Sequence, residues 1–470
     1  MSSKSKYKDL SKNTLLFTIS SFGAKIISFL LVPLYTYVLS TQDYGTVDLM
    51  TTTAQLLIPV LTINIQDAVL RYALDKDYDE GVVIGAGIKV ISLSSALLGV
   101  ILLIVSKFHL IHLDDQYLMF LFLSYVFGTL NNCFSMYLKA RDKVKVLTVS
   151  GLINTFLACA LNIVLLLWVK MGVTGYLVAN VAGTIVAVTC MFIAGGIYRE
   201  TKFKNSSAVL KLMIPYSLPL VANSLAWWLN NASDRYILTY FCGAAVNGIY
   251  AVSYKIPTIL STIQSVFYSA WSISAITEFN KDDSDGFIGN IYTLYSTASY
   301  IGCAILLFFN LFIAKILYSN DFFVAWKYVP FLLVGTVFNG IALFEGCIFT
   351  AVKRTKDVSR TTIIGAAANT VLNFSLIPFI GATGAALATM VGYMTVWIIR
   401  TLQLQSIVKM KVNWNIQIIS SVLILIQAIF AVYIKGYIIQ VIPVILLVIV
   451  QWKFLVKVFM FVIKRFVKKG

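Results

Sequence analysis

Apolar stretches of roughly 18 residues or more recur along this chain from end to end, separated by short polar breaks. Stretches of that length predict membrane-crossing helices, because a bilayer core of about 30 Å takes about 20 helical residues. Spans are expected at 14–38, 45–70, 82–106, 116–138, 147–169 and 173–197, then at 210–238, 245–273, 287–311, 325–350, 360–380 and 383–402. Two more, 414–434 and 437–462, bring the expectation to about fourteen helices in an all-α polytopic membrane protein. The connections between them reach only about 10 to 15 residues, which leaves no room among the spans for a soluble catalytic domain. Lys4, Lys6, Lys8 and Lys12 precede the first apolar run like the basic segment of a signal peptide. That run is long and lacks a cleavage pattern, so it is read as a retained helix.

Charge in the polar breaks sets the orientation, since short cytoplasmic loops carry the excess of Lys and Arg. With the amino terminus inside, the cytoplasmic face takes Lys139, Arg141, Lys143 and Lys145, then Arg199, Lys202, Lys204 and Lys211. It also takes Lys353, Arg354, Lys356 and Arg360, and the tail with Lys464, Arg465, Lys468 and Lys469. The opposite face holds only Lys107, Lys170, Lys315, Lys327 and Lys435, so both termini are expected to be cytoplasmic. A composition of 59% hydrophobic and 12% charged residues fits the membrane class, far from the roughly 25% charge of soluble domains. The net charge of +17 then reads as topology and contact with anionic lipid, not as a nucleic-acid surface. Six cysteines, at 133, 159, 190, 242, 303 and 347, all fall within spans and in no ligand spacing. They are read as small packing residues, and no metal site is expected.

An internal repeat organises the spans. Leu161, Asn162 and the run Gly172 to Ala179 match Leu372, Asn373 and the run Gly381 to Ala388. Cys133 with Lys139 matches Cys347 with Lys353, and Tyr44-Gly45 corresponds loosely to Asn247-Gly248. Each match pairs helices six spans apart, an even number, so the repeat is parallel. The expected layout is a six-helix lobe at 1–204, a related lobe at 205–405, and two accessory helices with a basic tail at 406–470.

Three helices carry polar stripes at spacings of three and four, which place them on single faces. Helix two has Asp48, Thr52, Gln55, Pro59, Thr62 and Gln66; helix eight has Tyr250, Tyr254, Pro257, Ser261, Gln264 and Tyr268. Helix seven has Asn223, Trp227, Asn230 and Asp234, with Ser224, Trp228, Asn231 and Arg235 alongside. Lipid would leave such groups unpaired at several kcal/mol each, so the stripes are read together as the wall of a water-filled cavity. Pro59 and Pro257 are candidate bending points.

Charges within spans are sharper evidence, because a Lys or Arg at a helix centre costs about 2.5–3.5 kcal/mol even on the mildest scale. Lys25 and Lys255 fall near the midplane, one in each lobe, with Arg235 nearer the outer end and beside Asp234. Lys89 is placed to snorkel, and Arg71 follows Asp67 by one turn at the end of helix two. Lys25, Lys255, Arg235 and Arg71 are the candidate cationic binding set. Gln55, Thr62, Asn223, Asn230, Asn231, Asp234, Tyr250, Tyr254 and Gln264 are the candidate lining, and Asp48 and Glu345 are candidates for coupling or for neutralising a cation. A positive cavity should receive an anion, and basic side chains bind phosphate through charge-assisted hydrogen bonds.

With parallel six-span halves and two extra helices, the chain resembles the multidrug/oligosaccharidyl-lipid/polysaccharide (MOP) exporter superfamily. Within it, the likeness is to Wzx-type flippases of bacterial surface polysaccharides. Pro33, Leu34, Tyr35 and Thr36, Tyr44-Gly45 and Asp48, Arg71-Tyr72, Asp234, Arg235 and Tyr236, and Gly248, Tyr250 and Lys255-Ile256 carry the resemblance. It implies a MATE-like exporter fold in the bacterial cytoplasmic membrane and alternating access driven by an H+ or Na+ gradient, with no cofactor. The implied substrate is a polyprenyl-pyrophosphate-linked oligosaccharide, and the implied partners are glycosyltransferases and a polymerase. A monomer is expected. Where drug exporters of the superfamily commonly have acidic residues in the first helix, this chain has Lys25, and where a lipid II flippase has an arginine-rich cavity, lysines largely stand here.

The nearest rival is an ion-coupled drug or cation exporter, controlled by Asp48, Asp67, Asp234 or Glu345. A polytopic glycosyltransferase or polymerase would need an acid, base or His in an outer loop. Only His109, His112, Asp114 and Asp115 stand close together outside, in a loop read as solvated. With no GxxxxGK[ST] sequence, direct coupling to ATP is not expected.

Overall fold

The computed structural model describes residue 23 and residues 25–467 apart from 111–112, 278, 285 and 435–436; the basic amino-terminal segment, His112 and the last three residues lie outside them. Every element among the described residues is helical. Helices α1 Lys25–Val38, α2 Thr41–Leu61, α3 Ile65–Ala73, α4 Glu80–Lys107 and α5 Asp115–Ala140 come first. Then follow α6 Val144–Trp168, α7 Gly172–Ala194, α8 Ile197–Glu200, α9 Ser206–Cys242, α10 Ala244–Ser253 and α11 Lys255–Thr277. Helices α12 Phe287–Leu317, α13 Val329–Ala351, α14 Thr355–Leu404, α15 Trp414–Tyr433 and α16 Tyr437–Val467 complete the chain.

Among the described residues ten helices are long and apolar enough to cross a membrane, or eleven if the bent pair α2 and α3 is one span. The count of fourteen is therefore not reached by separate long helices, for three physical reasons. The span expected at 45–70 bends by 56° between α2 and α3, not at Pro59 but at Ile63 and Asn64, whose φ values are +54° and +52°. The span expected at 245–273 is divided at Tyr254 between α10 and α11, three residues before Pro257, whose missing N–H withholds the helical bond to the Ser253 carbonyl. Conversely, the two spans expected at 360–380 and 383–402 are both present but follow one another directly in the fifty-residue α14, across non-helical backbone at Ile380 and Gly381, and so count once. A straight helix of that length would measure about 75 Å, so the break divides it. Helices Lys25–Val38 and Ile439–Trp452 are shorter apolar segments.

Two compact units make up the chain, Met1–Ser233 and Asp234–Gly470, so the division falls inside α9 and the last two helices belong with the second unit. In the first unit, Ile65, Ala68, Val83, Ile84, Tyr137 and Leu138 pack into one buried cluster. In the second, α13 is the most enclosed span, 78% buried over its apolar window. Such a helix must be largely apolar all round, as its sequence is except at Thr336, Asn339, Glu345 and Thr350.

The repeat has a backbone signature. Gly172 has φ +56° and Gly381, its counterpart, has φ +55°, a left-handed conformation that favours glycine. Three residues on in each half a second glycine lets two helices meet. A Cβ at Gly175 would lie 3.3 Å from the Leu165 carbonyl oxygen, and one at Gly384 would lie 2.9 Å from that of Leu376. Asn162 and Asn373 are both wholly buried, and each donates its amide four residues back, to the Ala158 carbonyl and the Asn369 side chain at 2.7 and 3.0 Å.

Each half also ends in a strap across the start of its third helix. The Lys202 N–H donates to the Gly81 carbonyl at 2.8 Å, and the Lys202 ammonium meets Asp79 at 2.6 Å. In the second half the Lys409 N–H donates to the Lys281 carbonyl at 3.0 Å and the Lys411 N–H to Asp283 at 3.3 Å. A Cβ at Gly85 or Gly289 would collide with the strap backbone, at 2.2 and 2.9 Å.

Candidate functional site

In the second unit the sequence-selected residues Asp234, Tyr250 and Tyr254 come together. Asp234, at the start of that unit's portion of α9, is 4% exposed. Its Oδ2 accepts from the Tyr250 hydroxyl at 2.7 Å and from the Tyr254 hydroxyl at 3.1 Å. These tyrosines are four apart and straddle the junction of α10 and α11, so the helical register points both hydroxyls to one place. Thr389, on α14, stands 3.5 Å from the same carboxylate oxygen and 3.4 Å from the Tyr250 hydroxyl. Behind it Asn369 donates to Thr389 at 3.4 Å and Asn373 to Asn369 at 3.0 Å. The Arg235 guanidinium lies 5.4 Å above the Tyr254 ring, within cation–π range. A buried carboxylate surrounded by hydroxyls and amides is a set of hard oxygen donors, suited to a proton or a small cation such as Na+.

Glu345 forms a second buried centre in this unit, wholly enclosed on α13. Its Oε1 accepts from the Thr401 hydroxyl at 2.6 Å and from that of Tyr292 at 3.4 Å, while Oε2 has no partner among the described residues. Arg400, 4% exposed, lies against Gly346, where a Cβ would be 3.2 Å from its Nη1. The guanidinium donates to the Ala342 and Val358 carbonyls at 2.6 and 3.1 Å and to the Thr361 and Thr362 hydroxyls, both at 2.9 Å. Thus Arg400 ties the two halves of the polar chemistry on α13 and α14 together through neutral oxygens.

The other selected residues are placed one by one. Lys255 is half-buried at the start of α11. Gln264 is packed inside the second unit rather than on an open face: it donates to Ser299 at 3.2 Å, and Gly340 leaves it room, since a Cβ there would lie 2.3 Å away. In the first unit Lys25, Gln55 and Asn223 are exposed, Asp48 is half-buried and Thr62 is buried. The Thr62 hydroxyl returns to the Ile58 carbonyl at 2.6 Å. Arg71 is exposed and pairs with Asp75 at 3.4 Å, at the end of α3. The side chains of Asn230 and Asn231 lie outside the described residues. Lys89 reaches the Ser207 hydroxyl at 2.9 Å, which is the snorkelling expected of it.

Helices two and seven are bound together at their polar stripes: Asn64 donates to Ser224 at 2.8 Å, and the Trp228 indole donates to the Thr52 carbonyl at 3.0 Å. Three members of the second-unit centres escape a sequence reading. Arg400 stands two residues from the end of its expected span and looks like an interfacial anchor, while Thr389 and Asn369 are single polar residues among many. The spacing of Asn369 and Asn373 on one face of α14 was the available signal.

Comparison with known proteins places this geometry. The description "Polysaccharide biosynthesis protein" belongs to a family model that matches residues 10–279. An uncharacterised membrane protein of Methanocaldococcus jannaschii is 24% identical over 54% of this chain and 53% of its own length. The chain thus spans about half the length of that curated relative. Among solved structures, the lipid II flippase MurJ in an inward closed conformation aligns with a TM-score of 0.71 at 14% identity, over 95% of this chain and 100% of that one. A multidrug resistance MATE family transporter of the MOP superfamily, inward-facing, aligns at 0.59 and 12% identity, over 81% of this chain and 94% of that one. A MOP superfamily transporter from Pyrococcus furiosus aligns at 0.52 and 14%, over 85% and 95%. These likenesses establish the MOP fold for a multi-pass membrane protein. Since the family model covers more than half of the sequence, from the amino-terminal segment through α11, the chain belongs to the polysaccharide biosynthesis protein family.

Proposed function

We propose that this protein is a flippase that carries a polyprenyl-pyrophosphate-linked oligosaccharide across the bacterial cytoplasmic membrane, with both termini cytoplasmic. The observation that carries the reading is the exposure of Lys25, Gln55 and Asn223 on apolar spans. Hydrocarbon leaves such groups unsolvated, so within the bilayer they belong on a wetted, substrate-facing surface. Lys25 and Lys255 then receive the pyrophosphate, and Arg235, held over Tyr254, adds positive charge. Amides and aromatic rings suit the sugar hydroxyls and ring faces.

Asp234 with Tyr250, Tyr254, Thr389 and Asn369 is the proposed seat of the coupling ion, H+ or Na+. Cargo binding and ion binding then depend on neighbouring residues, Asp234 and Arg235, which allows one to alter the other. Glycosyltransferases that build the lipid-linked oligosaccharide and a polymerase that consumes it are the expected functional partners.

Lys25→Ala and Lys255→Ala should each abolish surface polysaccharide in cells while the protein remains in the membrane. Undiminished polysaccharide in both variants overturns the reading. The exporter alternative is favoured by one observation, the buried carboxylates Asp234 and Glu345. It predicts drug accumulation that rises when the gene is deleted, with no change in surface glycan.

A further inference from the structure

The first unit encloses a cavity of about 350 Å³ bounded by α1, α2, α5, α6 and α7. Its wall includes Tyr35, Tyr176, Asn154, Thr155, Asn180 and Thr184, and no charged side chain among the described residues lines it. We propose that this cavity is a subsite for one neutral sugar ring. None of the charged residues assigned above to pyrophosphate and ion is among its lining residues, and the proposal rests on the flippase reading for its place in the transport cycle.

The chemistry of the wall selects that guest. The Thr155 and Thr184 hydroxyls donate to carbonyls of their own helices, those of Gly151 at 3.0 Å and Asn180 at 3.1 Å. The Asn180 amide likewise donates to the Tyr176 carbonyl at 2.7 Å. With these hydroxyl protons engaged, the wall offers a guest chiefly acceptor lone pairs, two on each hydroxyl oxygen and amide carbonyl, together with the second N–H of the Asn180 amide. Asn154 adds a further amide, and Gly183 makes space for it, since a Cβ at that position would lie 2.7 Å from the Asn154 Oδ1.

A guest that matches this wall has many hydroxyl donors and no charge. Tyr35 and Tyr176 meet edge to face, 4.8 Å apart at 87°, so a ring's apolar C–H side finds aromatic surface beside the acceptors. The volume stands at the low end of the roughly 300–1,000 Å³ of small-molecule pockets, which fits one ring and not an oligosaccharide. An anionic group would find no counter-charge here. A lipid chain would offer no partner to the free amide oxygens and N–H groups of the wall, at about 1–3 kcal/mol for each group left unpaired.

Cys159 lines the same cavity and reports on its occupancy. In the full-length protein in detergent, the rate of alkylation of Cys159 by a membrane-permeant maleimide is followed by mass spectrometry. Free N-acetylhexosamine, neutral hexose, glucuronate and the isoprenoid alcohol farnesol are added in turn. At ten times its dissociation constant, a neutral sugar should slow labelling roughly tenfold, with glucuronate and farnesol far weaker. Thr184→Val, which matches the threonine in size, should weaken protection, as should Asn154→Leu. Lys139→Leu, outside the cavity wall, should leave it unchanged.

Absence of protection by either neutral sugar, equal protection by glucuronate or farnesol, or full protection in Thr184→Val each overturns the proposal. If sugars fail to protect while lipid-linked oligosaccharide still crosses the membrane, the cavity assignment falls and the flippase reading stands. If sugars protect but lipid-linked oligosaccharide never moves, the flippase reading falls and the sugar site stands.

Discussion

Both units are made of the same kind of apolar helix, but they treat charge in opposite ways. Among the described residues every buried charged side chain, Asp234, Asp283, Glu345 and Arg400, lies in the second unit. In the first unit Lys25 and Asp48 stand exposed and half-buried within spans, and ion pairs gather at the loop ends of its helices. There Glu200 accepts from Lys143 at 2.8 Å and from the Tyr137 hydroxyl at 2.6 Å, and Arg141 pairs with Glu80 and lies 3.7 Å from Glu200.

Charge at a rim stays solvated and holds helix ends together at little expense. Charge inside a span requires hydrogen bonds to every polar atom or a ligand to complete the set. Asp283 is completed by protein alone, accepting from the Ile288 and Gly289 N–H groups at 2.9 and 3.0 Å. Asp234 is surrounded by groups that also suit an ion, and Glu345 keeps one oxygen without a partner among the described residues. The comparison therefore separates a half with no buried charge among its described residues from a half built around buried ionisable groups.

The largest effect expected from this contrast is at Asp234. Asp234→Asn keeps an oxygen for Tyr250 and Tyr254 but removes the charge. It should reduce transport by about 100-fold, equivalent to about 2.7 kcal/mol, with little change in thermal stability in detergent. Asp234→Ala should lose transport and stability together, since it leaves two tyrosine hydroxyls without their acceptor. Wild-type transport by Asp234→Asn would show that the buried charge of the second unit is structural, like the rim ion pairs of the first.

Arg400 comes next. Arg400→Leu strips partners from two carbonyls and two hydroxyls at once and should destabilise the protein by about 3–5 kcal/mol, the range for breaking a buried charged site. Lys139→Leu, at the exposed last turn of α5, serves as the first-unit control and should change the melting temperature very little. Comparable shifts in the two variants would erase the distinction.

Much of the fold was legible in the sequence because the bilayer imposes a length on every span. The membrane class and the repeat follow from runs of apolar residues and from matched glycines such as Gly172 and Gly381, while the straps at Lys202 and Lys409 have no such signature. Breaks were less legible. Pro59 drew attention, yet the chain turns past it at Ile63-Asn64, whereas the division between α10 and α11 does fall just before Pro257.

In the candidate site, Asp234, Tyr250 and Tyr254 were readable because a four-residue spacing aligns the tyrosines and the acid is conspicuous in a span. Arg400 was hidden by its position near a helix end, and Gln264 looked like a cavity residue until Gly340 was seen to receive it. The sugar-compatible cavity of the first unit consists of isolated Ser, Thr and Asn residues on five helices, a pattern that only the fold assembles.

A smaller effect tests whether the two halves remain equivalent where they carry no charge. Gly172→Ala and Gly381→Ala each force a side chain into left-handed backbone and should cost about 1–2 kcal/mol. The two costs should agree, read as equal falls in melting temperature. Unequal falls would mean that the repeat has diverged in backbone as well as in charge.

The smallest effect belongs to the rim of the first unit. Partial burial alone would raise the Glu200 carboxyl, but hydrogen bonds from Lys143 and Tyr137 and the charges of Lys143 and Arg141 outweigh it and hold the group below its ordinary value. Asp79 is held low in the same direction, chiefly by its hydrogen bond from Lys202. A carboxylate whose folded value is depressed contributes stability that is complete above its unfolded value and is lost as pH falls through the folded one. Thermal stability in detergent should therefore decline on acidification below the ordinary carboxylate range. Glu200→Gln should flatten part of that decline and, at neutral pH, should lower stability by only about 0.2–1 kcal/mol for each rim pair removed. A larger loss at neutral pH would place the first unit's ion pairs among its principal supports and remove the contrast with the second, whereas transport that continues at the wild-type rate in Glu200→Gln is what a purely mechanical rim requires.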